Sequence, residues 1–243
     1  MRGGRVLLLG AGRTSVCWAG RRVVEEGLVT GSAGNISVRV RDDRVVVTPG
    51  GARLDRLDER DCPVLEMDGR VLEGAREPSS ETPMHLAIYR ETDAGAIVHT
   101  HSADCVAVSA VLDELPPIHY YTLMLGGIVR VAGYATYGTP ELARNVLAAL
   151  EGGRRAALMA NHGAVALGRD LDEAIQNALL LEWLCGVYLR ARAIGEPRAL
   201  TEAQLGEAVE RFAGPGYVPP AGPAVARFVG GRARLLPPEP GGV

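Results

Sequence analysis

Lysine is absent from this 243-residue chain, and all 26 basic side chains are arginine. Without an amine side chain there is no Schiff-base nucleophile, no anchor for pyridoxal phosphate and no Walker-type phosphate lysine. Any carbonyl chemistry must therefore use another electron sink. Cysteine is scarce too: Cys17, Cys62, Cys105 and Cys185 lie far apart, with no C-x-x-C pair. That spacing argues against a disulfide framework or a cysteine zinc knuckle, and the four read as reduced thiols of a cytoplasmic protein. Long apolar runs are missing as well. Val6 to Leu9 is far shorter than a signal-peptide core or a membrane span, and Arg13 follows closely, so neither secretion nor membrane insertion is expected. Charge of one sign is not concentrated anywhere. The 29 acids and 26 arginines are interspersed, with a net charge of −3, so no basic footprint suggests nucleic acid.

What the chain does contain is ordinary globular material, 47% hydrophobic and 23% charged, enough for one domain with a substantial core. Val16, Ala19, Val23 and Val24 place apolar groups at helical spacing over residues 16–28. Two hairpins follow, Ile36–Val40 with Arg44–Thr48, and Val64–Met67 with Arg70–Leu72 around an Asp68-Gly69 turn. Ser79-Ser80 ahead of Glu81 and Pro83 reads as a helix start, the helix running to about Glu91. Beyond it the pattern predicts a strand over Ala94–Thr100, a helix over Ala103–Leu112 and a strand over Gly127–Val131. A capped helix then runs to Leu150, two strands flank Asn161-His162-Gly163, and a long helix covers Leu171–Ala193. This mixed order implies α/β or α+β architecture with a largely antiparallel sheet. One domain is expected over residues 1–215, with a Pro/Gly-rich tail over 216–243 that cannot support a packed domain. Gly10-Ala11-Gly12 lacks the third glycine and the following βαβ unit of a dinucleotide loop.

Chemistry concentrates around histidine. In Ile97-Val98-His99-Thr100-His101 the two imidazoles are two residues apart on a strand, which puts both on one sheet face. A third, His162, sits at a turn between strands, and three histidines with an open position make a catalytic zinc pattern. Glu81, at a helix start, can serve beside such a cation as a fourth ligand or a general base. Gly34-Asn35, Thr48-Pro49-Gly50-Gly51 and Ser79-Ser80 offer hydroxyls, an amide and backbone N–H groups, which can hold a phosphate without lysine.

These segments resemble the class II, zinc-dependent aldolase and epimerase family, most closely its fuculose-phosphate aldolase branch. The resemblance runs over roughly residues 16–217. It rests on Gly31–Arg39, Thr48–Gly51, Ser79–Glu81, His99–His101, Ile118–Tyr120, Tyr134–Thr139 and Asn161–Gly163, in that order and spacing. It implies a three-layer α/β/α fold around an antiparallel sheet, and a cyclic homotetramer with active sites between subunits. It also implies one Zn2+ per subunit on His99, His101 and His162, with Glu81 alternating between ligand and base. By the same resemblance, Gly34, Asn35, Thr48, Gly51, Ser79 and Ser80 hold the substrate phosphate, Tyr120 is the proton donor on the aldehyde side, and Tyr217 is a C-terminal tyrosine reaching the site.

The reaction implied is reversible cleavage of a ketose 1-phosphate, such as L-fuculose 1-phosphate, to dihydroxyacetone phosphate and a short aldehyde such as lactaldehyde. Two departures stand out: Gly50 where the branch has threonine, and Tyr137 where it has phenylalanine. The epimerase branch carries an aspartate at the metal and another acid where this chain has His119-Tyr120, which favours aldol cleavage. A dehydratase or decarboxylase on the same scaffold is an alternative. A non-catalytic module like the adducin head, which lacks the metal set, is a further one.

Overall fold

The structure is a computed structural model that describes residues 2–41, 44–214, 226–229 and 232–235. Helix α1 (Arg2–Glu25) leads into the hairpin β1 (Asn35–Val40) and β2 (Arg44–Val47), then β3 (Val64–Glu66) and β4 (Val71–Glu73). Helix α2 (Thr82–Glu91) precedes β5 (Ala96–Thr100) and α3 (Ala103–Ser109), and a 3-10 helix (Tyr120–Leu125) leads to β6 (Val131–Ala132). Helix α4 (Pro140–Leu150), strands β7 (Ala156–Met159) and β8 (Gly163–Gly168), and helices α5 (Leu171–Ile194) and α6 (Glu202–Ala213) follow. Residues 226–229 and 232–235 pair as antiparallel strands β9 and β10.

One eight-stranded sheet, ordered β4-β3-β2-β1-β5-β8-β7-β6, forms the middle layer. Every neighbouring pair is antiparallel except β6 with β7. Alternation along the strands divides the core between the two faces. Ile36, Val46, Ala96 and Val98 pack with Val16, Val23 and Ala174 from α1 and α5, whereas Val45, Ile97, Val165 and Leu167 pack with Met84, Ile88 and Val146 from α2 and α4. Helix α3 joins α5 on the first face through Cys105, Val108 and Leu184. Each fully buried valine or isoleucine in these layers contributes roughly 1.5–3 kcal/mol of transfer free energy. The result is the three-layer α/β/α arrangement that the resemblance implies.

The caps are local and legible. Thr139 accepts from the Leu142 amide at 3.2 Å ahead of Pro140, Asp170 accepts from the Glu173 amide at 2.9 Å, and Thr201 with Gln204 forms a capping box for α6. Besides the β9–β10 pair inside the expected tail, three elements differ from the sequence expectation. Helix α1 begins at Arg2 and absorbs Gly10-Ala11-Gly12. A Cβ on Gly12 would lie 2.8 Å from Val40 Cγ1, so that glycine lets the helix approach the β1–β2 hairpin. The strand expected over Gly127–Val131 is only Val131–Ala132, because Gly126 and Gly127 take positive φ and close the 3-10 helix. Helix α3 stops at Ser109, where the Ala110 amide folds back on Val106 in a terminal turn.

All four cysteines are buried free thiols, with the sulfurs of Cys17 and Cys62 at 4.0 Å. No helix of the described residues is long and apolar enough to cross a membrane.

Candidate active site

Strand β5 lies between β1 and β8 at the centre of the sheet, and its C-terminal end carries the first two histidines. Register places Asn35 of β1 and Val165 of β8 on either side of His99. Period-two alternation continues from Ile97, so His99 faces the layer that contains α2. The β7–β8 turn brings His162 to the same point. Its second central residue, Asn161, has φ +56, and the His162 amide closes the turn on Met159 O at 3.1 Å. Gly163 follows because a Cβ there would lie 2.2 Å from Thr100 O, too close for the strands to pair.

Glu81 is the N-cap residue of α2 but makes no capping hydrogen bond with its carboxylate. Its backbone N–H donates instead to Ser79 Oγ at 3.3 Å, and the carboxylate turns in toward the histidines. The simple helix-dipole role that a glutamate in this position commonly plays is thus replaced by membership of the cluster.

The ligand atoms of Glu81, His99, His101 and His162 all lie within 4.8 Å of one another. Glu81 Oε2 is 3.0 Å from His99 Nε2, Glu81 Oε1 is 3.4 Å from His162 Nε2, and the Nε2 atoms of His99 and His101 are 2.9 Å apart. His99 donates from Nδ1 to the Ala164 carbonyl at 2.8 Å, which leaves its Nε2 lone pair directed into the cluster in the neutral form. Acceptor therefore faces acceptor, an arrangement that calls for a cation. Ligands at 2.0–2.1 Å around a tetrahedral ion are roughly 3.3 Å apart, close to these separations. Glu81 Oε1 is also buried without a hydrogen-bond partner. The donor set fits a divalent cation.

The electrostatics agree with that reading. Burial lowers the His101 pKa to about 4, with help from His99 and His162, and burial followed by His99 lowers that of His162. Both rings are thus neutral ligands near neutral pH. Burial acts to raise the Glu81 carboxyl, but the adjacent His99, the hydrogen bond from the Asn35 amide and the adjacent His162 outweigh it and hold the group well below the usual carboxylate range.

Beside the cluster opens a cavity of about 330 Å3, lined by Gly34, Asn35, Gly50, Gly51, Ser79 and Ser80 on one side. Glu81, His101, Tyr134, Tyr137, Asn161 and His162 also line it, and no arginine does. Of the six residues expected at the phosphate, Thr48 is the exception. It is fully buried, and its hydroxyl accepts from the Ile36 amide at 3.1 Å while its carbonyl accepts from the Ser79 amide at 3.1 Å. Thr48 therefore fixes the loops on which the others stand. Asn35 lines the cavity, yet both ends of its amide are engaged, Nδ2 with Glu81 at 2.8 Å and Oδ1 with His85 at 2.6 Å. Gly50 has room for a larger residue, since a Cβ there would come no nearer than 3.5 Å to another atom.

Tyr120 is not among the lining residues. It begins the 3-10 helix, stacked on His119 and close to Tyr121 and Phe212, and is 41% exposed. Tyr217 lies outside the described residues. Sequence reading missed His85, although it sits four residues after Glu81, one helical turn along the same face. A larger hollow of about 650 Å3 contains Asp93, Arg144 and Arg155, but Arg155 is paired with Asp93 at 2.7 Å and no ligand cluster adjoins it.

Residues 14–189 match the family described as Class II Aldolase and Adducin N-terminal domain. The chain belongs to the class II aldolase family. Among its relatives, this aldolase is 37% identical over 214 residues to a 5-deoxy-D-ribulose 1-phosphate aldolase of Bacillus thuringiensis, covering 86% of this chain and 99% of the relative. It is 39% identical over 214 residues to a 5-methylthioribulose-1-phosphate/5-deoxyribulose-1-phosphate aldolase of Rhodospirillum rubrum, covering 87% and 94%. A 3-oxo-tetronate 4-phosphate decarboxylase of Haemophilus influenzae is 41% identical over 172 residues, covering 67% and 80%. A solved L-fuculose 1-phosphate aldolase superposes with a TM-score of 0.79 at 37% identity, covering 84% of this chain and 97% of that one. Class II aldolases use a divalent metal, and Glu81, His99, His101 and His162 form the group that could bind it here.

Proposed function

We propose that this class II aldolase reversibly cleaves a ketose 1-phosphate of the 5-deoxyribulose or L-fuculose type. The products are dihydroxyacetone phosphate and a short aldehyde, acetaldehyde from the first substrate and lactaldehyde from the second. The observation that carries the proposal is the placement of the three-histidine cluster, with the unpaired Oε1 of Glu81, against a cavity walled by serine hydroxyls and glycine backbone. The names of the relatives supply the substrate class.

Ser79, Ser80 and the backbone at Gly34 and Gly51 would hold the phosphate. The N-terminus of α2 favours negative charge there, which suits a wall without lysine or arginine. Zn2+, one per subunit on His99, His101 and His162, would supply the Lewis acidity that polarises the ketose carbonyl and accepts the electron pair released on cleavage. Glu81 Oε1 carries the proton. In the condensing direction it takes one from carbon 3 of dihydroxyacetone phosphate, and in cleavage it returns that proton as the carbon 3–carbon 4 bond breaks.

The hydroxyl on carbon 4 loses its own proton as it becomes the aldehyde oxygen. Tyr120 is suited to exchange that proton only from a neighbouring copy, since within one chain it stands away from the cavity. We place it there in a homotetramer whose sites lie between subunits, and assign the enzyme to the cytoplasm. Tyr217 is proposed as a second tyrosine at the aldehyde end.

The test is release of dihydroxyacetone phosphate from each ketose 1-phosphate, with a parallel assay for carbon dioxide from a 3-oxo-acid phosphate. Release of carbon dioxide without aldol cleavage would transfer the assignment to the decarboxylase chemistry of the Haemophilus relative.

A further inference from the structure

Behind the cavity, on the α2 face of the sheet, lies a run of buried polar groups that the proposed chemistry does not use. Tyr89 Oη is 2.8 Å from Ser37 Oγ, Ser37 Oγ is 2.7 Å from His85 Nδ1, and His85 Nε2 is 2.6 Å from Asn35 Oδ1. The run ends where Asn35 Nδ2 donates to Glu81 Oε2 at 2.8 Å. Ser37 and His85 are fully buried, and Tyr89 is 1% exposed.

Elementary hydrogen-bond accounting gives the run a single direction. A carboxylate can only accept, so Asn35 must present its NH2 to Glu81 and its carbonyl to His85. The carbonyl can only accept, so His85 must carry its proton on Nε2. With Nδ1 then an acceptor, Ser37 must donate to it, and Tyr89 must donate to Ser37. Burial, aided by the proximity of His99, lowers the His85 pKa to about 3, which keeps the ring neutral as this direction requires. The arrangement also distinguishes the two oxygens of Glu81. Oε2 is held by Asn35 and faces His99, while Oε1 has no donor.

We infer that His85 is a positioning residue, which fixes the orientation of the Asn35 amide and so holds Glu81 by Oε2, leaving Oε1 as the atom that exchanges the proton. The inference rests on the proposed role of Glu81. A flipped Asn35 amide would set carbonyl oxygen against carboxylate and release the Glu81 side chain from its pose. Ser37 and Tyr89 act one and two bonds further back, by supplying the donors that this tautomer of His85 accepts. A buried polar run of this kind contributes orientation rather than net stability, because each group forgoes water for one well-placed partner.

The experiment compares His85→Gln, whose amide N–H can replace Nε2–H, with His85→Leu, which offers no donor. Zinc content and steady-state kinetics are measured on the full chain, alongside NMR of 15N-histidine-labelled wild-type enzyme. The result expected is a kcat about tenfold or more lower in His85→Leu, with KM within about twofold and zinc retained, and recovery of most of that kcat in His85→Gln. The spectra should include the signal of a neutral histidine with its proton on Nε2 that persists unchanged from pH 8 to pH 5 and is absent from His85→Gln. Equal kcat in wild type and His85→Leu would overturn the inference, as would a proton on Nδ1 of His85. If His85→Leu does not fold, Ser37→Ala takes its place. It removes the donor to His85 Nδ1 and should lower kcat with KM within about twofold and zinc retained, and a wild-type kcat would overturn the inference. A wild type that cleaves no ketose 1-phosphate would refute the proposed function alone, since the tautomer is read without turnover.

Discussion

Replacing Glu81 by glutamine changes almost no shape, yet removes a buried acceptor that no donor pairs. In the wild type Oε2 accepts from Asn35 at 2.8 Å and faces His99 at 3.0 Å, while Oε1 has no donor. The glutamine carbonyl can take the place of Oε2 and keep the Asn35 hydrogen bond. Its NH2 then occupies the place of Oε1, 3.4 Å from His162 Nε2, where it has no lone pair with which to remove a proton. Loss of a positioned general base costs roughly 10²–10⁴ in rate, or about 3–5 kcal/mol of transition-state stabilisation. The assay is exchange of a carbon 3 proton of dihydroxyacetone phosphate in D2O, followed by NMR with no aldehyde present. That half-reaction involves neither Tyr120 nor Tyr217, so it isolates Glu81. Exchange at the wild-type rate in a zinc-loaded, folded Glu81→Gln variant would rule out Glu81 as the base.

His101→Ala removes a cavity-facing ligand without disturbing the buried His99, so the protein should fold but lose stoichiometric zinc and turnover, as read by elemental analysis and the cleavage assay. Gly163→Ala forces a Cβ to within 2.2 Å of Thr100 O and should cost on the order of 2–3 kcal/mol, measured by urea unfolding. The metal-free enzyme should lose stability as pH falls below about 6.5. His85 has its folded pKa lowered to about 3 and His101 to about 4, so the unfolded chain binds protons first, and each group contributes on the order of 1 kcal/mol per pH unit across that window. Glu81, whose folded pKa is lowered, adds a further loss only below its unfolded value near pH 4. A flat stability profile between pH 6.5 and 4.5, from denaturant titrations, would contradict this.

The metal cluster was legible because strand periodicity is an unusually strict constraint. His99 and His101 must share a face once Ile97–Thr100 is read as a strand, and Asn161-His162-Gly163 carries the turn chemistry that presents the third imidazole. The three layers came from the resemblance, and the unbroken apolar runs of β2 and β5, whose successive residues face opposite sides, show why the sheet needs a helical cover on both. The individual duties of polar side chains were not. Thr48 and Asn35 looked like exposed phosphate donors, but register turns the hydroxyl of one into the sheet and wedges the amide of the other between His85 and Glu81. Such pairings arise between residues some 12 to 50 positions apart, beyond the reach of local pattern. Helix α1 was longer than expected because Gly12 mimics a loop residue while serving a close helix–hairpin contact. Tyr120 was placed by resemblance alone, and within one chain it stands exposed against half-buried aromatic rings instead of at the cavity.

The three-histidine cluster and Glu81 are proposed to cleave a phosphorylated ketose with a bound divalent cation. The most direct measurement is a coupled assay for dihydroxyacetone phosphate, offering 5-deoxyribulose 1-phosphate and L-fuculose 1-phosphate to the purified enzyme, before and after chelation and again after zinc is restored. Release that chelation abolishes and zinc restores is the expected result. Release that survives complete removal of the metal, or no release from either substrate by fully zinc-loaded enzyme, would contradict it.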